Sequence, residues 1–537
     1  METFDFIIVG SGPGGSVLAQ RLTADSSITV LIIEAGPPDD SYLIRMPKGF
    51  GRLLTGSPYV DFYPTEKDDS GISYVWARGK TLGGSSSVNG MCYCRGRPED
   101  YDHWETLGAS GWNWRMMAPA FRAIEDHQLG ATVDRGVGGP LHVSVNDVEH
   151  PFNSAVLAAA PHLGLPVRDD PNGPDQLGIG KMTTMIRRGR RVSAADAFLR
   201  PAMRRSNLRI MTLTQARSLR FEGRRAVGVD CEGPAGPVSF AARREVLVCA
   251  GAFESPKLLM LSGIGPAERL AELGIPVLQD SPGVGQNLAE HRGIAIQWRL
   301  RKGRSHNPQF SGLRLYLNGL RYALLKSGIL SYGSHELMGF AKVHPRSATA
   351  DTQFFISPFS RVMGAKTPQF EPFAGAQCLI YPTRPTSRGY LTLRSVDPAV
   401  PPQIFPRLLD TDYDRAVSVA MVRFIRKLAA TEQVADFIAQ ETFPGPEIDT
   451  DETIIQAIRQ KGTWGFHTVG TVRMGATSDP NAPLDPGLRV KGVEGVRVVD
   501  ASAFPSIVSG NTAAPVSALA WNAADIIRYG MGLRSAA

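Results

Sequence analysis

Cysteine is scarce in this chain, with five residues in 537: Cys92, Cys94, Cys231, Cys249 and Cys378. So few, and odd in number, they exclude a disulfide-stapled scaffold and suit free, packed thiols, so a reducing, cytoplasmic location is expected. Cys92 and Cys94 stand two apart on one face of a strand. Without a second ligand pair at metal-site spacing they read as packing, and no metal is expected. No apolar run reaches the roughly 20 residues of a membrane-crossing helix, so no stable membrane insertion is expected. The first strand begins near Phe4, which is expected to leave no separate secretory leader. No block of five like charges occurs. The net charge of +7, from 58 basic and 51 acidic residues, is mild on this length and argues against a nucleic-acid partner. Internal repeats and low-complexity tracts are missing as well. What remains is ordinary globular composition, long enough for two or more domains.

The positive signals begin at the N-terminus. Phe4 to Val9 is an apolar run, followed at once by Gly10-Ser11-Gly12-Pro13-Gly14-Gly15, a helical stretch from Ser16 to Thr23, and a second strand, Thr29 to Ile33, that ends at Glu34. This is half of a doubly wound fold. Gly10 makes the tight turn, Gly12 lets a pyrophosphate approach the backbone, and Gly15 packs helix on strand. Glu34, placed to accept from an adenosine ribose, disfavours a 2′-phosphate and so NADP. The motif alone leaves NAD and FAD open.

Residues 37–75 read as a Pro-, Gly- and Tyr-rich excursion in the manner of a lid, and 76–125 as a glycine-rich loop and a helix. Short strands follow at Leu208–Leu213, Ser218–Phe221, Ala226–Cys231, Val238–Ala241 and Glu245–Cys249. A helix is expected to start at Ser255, as cap, with Pro256 in its first position. From about 293 to 460, strand-like runs at Ile294–Leu300, Thr352–Ser357, Gln377–Tyr381 and Tyr390–Leu393 alternate with helices at 311–326 and 411–430, the pattern of an inserted antiparallel sheet. A last buried strand, Val496–Asp500, precedes a helix from Ala514 to Tyr529. The expected architecture is α/β, α+β overall: a Rossmann-type domain assembled from 1–145, 190–292 and 465–537, and a substrate domain from 146–189 and 293–464 with an antiparallel sheet covered by helices.

Five segments together resemble the glucose–methanol–choline (GMC) family of flavin oxidoreductases over nearly the whole chain. They are the N-terminal fingerprint; Gly83-Gly84-Ser85-Ser86-Ser87-Val88-Asn89-Gly90; Gly251 to Pro266; Gly283-Val284-Gly285-Gln286-Asn287-Leu288 with His291; and the C-terminal His467 and Asn511 segments. The resemblance implies FAD. Gly10, Gly12, Gly15 and Glu34 would hold its ADP half and Ala216 its adenine. Gly84, Ser85, Asn89, Gly90 and Met91 would lie along the flavin. Asp500 and Ala501 would sit by the pyrophosphate and ribityl chain, with Asn511 and Thr512 also at the cofactor. Some relatives attach FAD through a histidine just before that asparagine. Here the position is Val88, so non-covalent FAD is expected.

The resemblance also assigns the chemistry: hydride transfer from a primary alcohol to flavin, giving an aldehyde. His467 is the general base and Asn511 the amide that holds the substrate oxygen. One titrating base implies one dominant pKa on the acid side of the rate profile. His291, His335 and the remaining histidines read as structural or surface residues. Candidate pocket walls are Gln353, Phe355, Tyr93, Trp464 and Phe466, whose aromatic flavour favours an apolar or aromatic alcohol over a sugar. Oxygen or a quinone is the expected electron acceptor. The alternatives are a flavin-dependent lyase or photodecarboxylase on the same fold, and a nicotinamide-binding protein.

Overall fold

The computed structural model describes residues 1–173, 175–301, 305–365 and 367–531. Its first layer follows from the apolar run at the N-terminus. Glu2–Val9 buries every side chain from Phe4 onward, as an interior parallel strand must. It pairs in parallel with Val30–Ile33 on one side and Gly236–Val248 on the other. Leu208–Met211 extends the sheet beyond Val30–Ile33, and Val496–Val498 adds beside Val246–Val248, both in parallel. Gln215–Glu222 and Arg225–Gly233 complete seven strands as an antiparallel extension. The first helix runs Pro13–Leu22, three residues earlier than the periodicity indicates, because Pro13 takes the first helical position. The helix Ala513–Gly530 packs beside it, burying Val17, Leu18, Leu22, Leu519 and Ala520. Each fully buried aliphatic side chain here contributes about 1.5–3 kcal/mol.

One helix differs from expectation. It spans Gly251–Leu261 and carries Pro256 in its interior rather than at its start. Gly251, at φ +88°, turns the chain directly into the helix. Ser255 lies inside the helix instead of at its start: its hydroxyl donates to Asp500 at 2.5 Å and accepts from Ala250 N at 3.1 Å. Pro256 has no N–H for the carbonyl of Ala252, and the Thr471 hydroxyl donates to that oxygen instead, at 2.6 Å.

The second seven-stranded sheet is antiparallel throughout, in the spatial order Ile438–Phe443, Arg292–Leu300, Gly375–Pro382, Thr352–Ser357, Leu337–Ala341, Gly178–Lys181, with Thr463–Trp464 beside the start of Arg292–Leu300. Alternation sorts its faces. Phe354, Ile356, Cys378 and Ile380 pack with Met421, Val422 and Ile425 of the helix Asp412–Ala429. Phe355, Leu379 and Tyr381 turn the other way. Tyr390–Thr392 does not join this sheet; it forms a separate ribbon with Gln403–Phe405. The 37–75 excursion is structured too: Tyr42–Arg45 and Phe50–Leu53 are short helices, and Val60–Pro64 pairs with Val75–Gly79.

Candidate active site

A large cavity of about 1290 Å³ runs from the glycine turn to the inward face of the second sheet. At one end, Gly10 adopts φ +100° with no room for a side chain, since a Cβ would lie 2.4 Å from the Cys249 carbonyl oxygen. Gly12 is the opposite case. A Cβ there would meet no atom within 4 Å, because the position opens into the cavity at the N-terminus of Pro13–Leu22. Gly15 stands off the cavity, where a Cβ would strike the Gly10 carbonyl at 2.0 Å. Glu34 lines the cavity and accepts from Ser11 N (3.0 Å), Ser11 Oγ (2.6 Å) and Gly36 N (2.9 Å). Burial raises its pKa, partly offset by those bonds. The Thr214 N–H donates to the Glu34 carbonyl, which brings Ala216 to the same wall. Gly84 abuts Gly12, at 3.0 Å from Cβ position to Cα.

Further in, Asp500 accepts from Gly251 N, Ser255 Oγ and both donors of Ser502, so its carboxylate is fixed at the cavity wall next to Ala501. Ser85 Oγ accepts from Gly79 N. Asn89 Oδ1 accepts from Met91 N (3.0 Å) and Arg191 Nη1 (2.8 Å), while its NH₂ bonds to no described residue. Arg191 was not singled out from the sequence. It is buried beneath the loop, bonded to the Ile44 and Ser86 carbonyls, with Nη2 unpartnered and its pKa pulled to about 9 by burial. Gly90, Met91 and Thr512 line the same wall, as does Val88.

The reactive centre is built by two histidines and an amide. Asn511 Nδ2 donates to His467 Nε2 at 2.9 Å. His467 Nδ1 faces His291 Nδ1 at 2.9 Å, and His291 Nε2 faces the Thr383 carbonyl at 2.8 Å. A carbonyl only accepts, so His291 carries its proton on Nε2. Its Nδ1 then accepts from His467 Nδ1–H, and His467 keeps a lone pair on Nε2. His291 is therefore neither a surface residue nor a remote structural one; it sets the tautomer of the second ring. Burial first, then His291 and Arg78, hold His467 well below the usual histidine range, and burial takes His291 to about 4. Glu290 locks the backbone of both: its carboxylate accepts from His291 N (2.9 Å), His467 N (2.7 Å) and Thr468 Oγ1 (2.6 Å). Arg78 balances it at 3.6 Å and lies 4.6 Å from the Phe253 ring centroid. Phe466, next to His467, takes φ +59°, a strained conformation for a non-glycine residue.

Of the proposed walls, Phe355, Trp464 and Phe466 line the cavity. Gln353 sits behind it, bonded to Tyr381 Oη (2.6 Å) and touching Asn511 Oδ1 (3.4 Å). Tyr93 is turned away, its hydroxyl donating to Glu125. His335 also differs from expectation: it lines the cavity, stacked on Phe355 with 5.0 Å between centroids. Tyr381, stacked on His291 at 5.0 Å, is a wall that the sequence did not reveal. For Glu290 a signal was present, an acid adjoining the histidine of an already notable segment. Arg191 offers none.

A glycine-turn nucleotide fold that shares one cavity with an antiparallel substrate sheet, and a neutral histidine–amide pair at their junction, define a dinucleotide-dependent oxidoreductase. The chain belongs to the GMC oxidoreductase family, whose N-terminal pattern matches residues 4–292 and whose C-terminal pattern matches 385–520. It is an FAD-dependent alcohol dehydrogenase or oxidase of that family. Human mitochondrial choline dehydrogenase is 40% identical over 98% of this chain and 90% of its own length. The oxygen-dependent choline dehydrogenase of Brucella ovis is 39% identical over 97% and 95%. Among solved structures, pyridoxine 4-oxidase from Mesorbium loti superposes with a TM-score of 0.88 at 31% identity, covering 98% and 99%.

Proposed function

We propose that this protein oxidises a primary alcohol to its aldehyde, with His467 as general base and Asn511 holding the substrate oxygen. The observation that carries this reading is the Thr383–His291–His467–Asn511 chain, which leaves His467 Nε2 unprotonated at the cavity wall, its lone pair held by an Asn511 N–H that a substrate hydroxyl would displace. A substrate hydroxyl entering between Nε2 and the Asn511 amide would donate to the first and accept from the second. FAD, when bound, supplies the acceptor for the two electrons that leave the carbinol carbon. The fit of that group rests on the open space over Gly12, the helix N-terminus behind it, the fixed carboxylates of Glu34 and Asp500, and the free NH₂ of Asn89. Val88 offers no nucleophile, so attachment is non-covalent. His467 takes the hydroxyl proton on Nε2 while its Nδ1–H keeps donating to His291.

The test is an anaerobic flavin spectrum titrated with a panel of primary alcohols, then exposed to air. Choline, the alcohol in the names of the human and Brucella relatives, belongs in that panel. Bleaching by an alcohol supports the reading. Failure of every alcohol to bleach the flavin would overturn it and favour lyase or decarboxylase chemistry. The rate of recovery in air separates oxygen from a quinone as electron acceptor.

A further inference from the structure

Two cations line the cavity beside the second sheet, and among the described residues only Lys48 has a carboxylate, Glu336, acting on it. Lys48 projects into the cavity, where among the described residues it bonds only the Ser334 carbonyl, at 3.3 Å, with Glu336 as its counter-charge and its ammonium 5.2 Å from the Phe359 ring centroid. Arg361 lines the cavity as well. Its guanidinium forms no ion pair or hydrogen bond with any described residue, and its Nε is buried without a partner. Between them lies His335, its Nδ1 at 2.9 Å from Ser357 Oγ. Burial and the two cations push His335 down to about 3, while burial takes Lys48 to about 8 against the attraction of Glu336. The neighbouring amide of Gln377, almost fully buried, has no hydrogen bond to a described residue. Four carboxylates line the cavity, Glu34, Asp61, Glu254 and Asp500, all on the nucleotide side. Each is already engaged: Asp61 by Lys80, Glu254 by Tyr63 and Lys257, and the other two as described above. Arg361, half-buried with its Nε unpartnered, has no counter-ion among the described residues, and holding it so is costly unless something pairs it.

We propose that this cluster is an anion-binding subsite, and that the substrate is an alcohol with an anionic head group, carboxylate or phosphate, at the far end of an apolar chain. Lys48 and Arg361 would pair the anion and Gln377 would donate to it. The inference rests on the alcohol-oxidation reading and narrows its substrate class. The sheet supplies the ruler. Gln353 and Tyr381 lie at the Asn511–His467 end, and Ser357 and Gln377, four residues along the same two strands, lie at the cationic end. Four residues of strand span about 13 Å. Phe355 and Leu379 cover the interval and Phe359 flanks Lys48, so the spacer must be apolar. A quaternary ammonium alcohol would meet two cations and, among the residues lining the cavity, no unengaged carboxylate; Glu336 stands behind the lining and accepts from Asn153 Nδ2.

Equilibrium dialysis of the FAD-loaded protein with decanoate, decyl phosphate and decyltrimethylammonium tests this. An anion should bind at least about 10-fold more tightly than the cation, and the tighter of the two anions names the head group. Arg361→Gln and Lys48→Gln should each weaken anion binding about 10-fold or more, while Arg361→Lys, which keeps the charge, recovers part of it. Equal or tighter binding of the cation, or Gln variants that bind the anions as the parent does, would overturn the proposal. A second measurement separates it from the parent reading. Faster flavin bleaching by choline than by ω-hydroxydecanoate sinks the anion subsite and leaves alcohol oxidation standing. If no alcohol bleaches the flavin, the dialysis still reads the subsite.

Discussion

The two ends of the cavity are made of different material. The nucleotide end is backbone: glycines, a helix N-terminus, and carboxylates held by main-chain N–H groups. The catalytic end is side chain: two imidazoles, two amides, a phenol and the buried Glu290. Backbone recognition needs space, which only glycine leaves. Side-chain chemistry needs orientation, which many residue types supply from distant parts of the chain. A defect at the first end should cost the cofactor, and a defect at the second should cost rate.

The strongest break of that contrast is Gly12→Val. A Cβ at Gly12 meets no protein atom, so the fold is expected to survive while the pyrophosphate approach is blocked. The variant should purify folded and colourless, as read by circular dichroism and flavin absorbance. Gly15→Val, aimed at the Gly10 carbonyl, should instead fail to fold. A yellow, fully loaded Gly12→Val would remove the cradle from this position.

His467→Ala tests the other end. FAD should stay bound while flavin reduction slows about 10²-fold or more, the scale of a lost general base. Stopped-flow reduction measures it, and unchanged kinetics would refute the role. The sign of the pH dependence follows from the depressed pKa. A base works when unprotonated, and burial holds His467 neutral well below 6.5, so the rate plateau should extend through and below the ordinary histidine range and fall only on the acid side beyond it. A fall centred near 6.5 would mean that the ring is solvated.

How far the sequence reached follows the same division. The cradle was legible because a turn that admits no side chain leaves consecutive glycines behind it. The family's C-terminal pattern brought out His467 and Asn511. What joins them was not legible. His291 is 176 residues from its partner ring, and Thr383 is a backbone carbonyl. Arg191 beneath Asn89 has no local pattern. The helix start was misplaced because Ser255-Pro256 imitates a cap, while the true start at Gly251 depends on Asp500, 249 residues away. Tyr390–Thr392 has strand character, and only the partner Gln403–Phe405 decides which sheet it enters.

A finer test asks whether His291 orients rather than merely fills space. His291→Leu removes the acceptor for His467 Nδ1–H, a hydrogen bond of about 1 kcal/mol, and should slow flavin reduction roughly 5- to 10-fold with FAD retained. The loss should fall on kcat rather than KM. His291→Asn, whose amide oxygen can accept the same proton, should recover part of it. Equal rates in the Leu and Asn variants would make His291 a packing residue.

The smallest effect concerns stability, where the two ends meet. Thr471 follows the His467 segment, and its hydroxyl satisfies the Ala252 carbonyl that Pro256 leaves without a donor, in the helix that begins beside Asp500. Thr471→Val keeps the volume and strands that buried oxygen, so it should cost about 1–3 kcal/mol of stability in denaturant unfolding, with catalysis little changed. Pro256→Ala restores an N–H at the right place in the helix. In that background the same Thr471→Val change should cost distinctly less, a coupling that a double-mutant cycle measures directly. An equal cost in both backgrounds would mean that the hydroxyl stabilises the protein through some other contact. The interior proline would then need another explanation than the one this hydrogen bond provides.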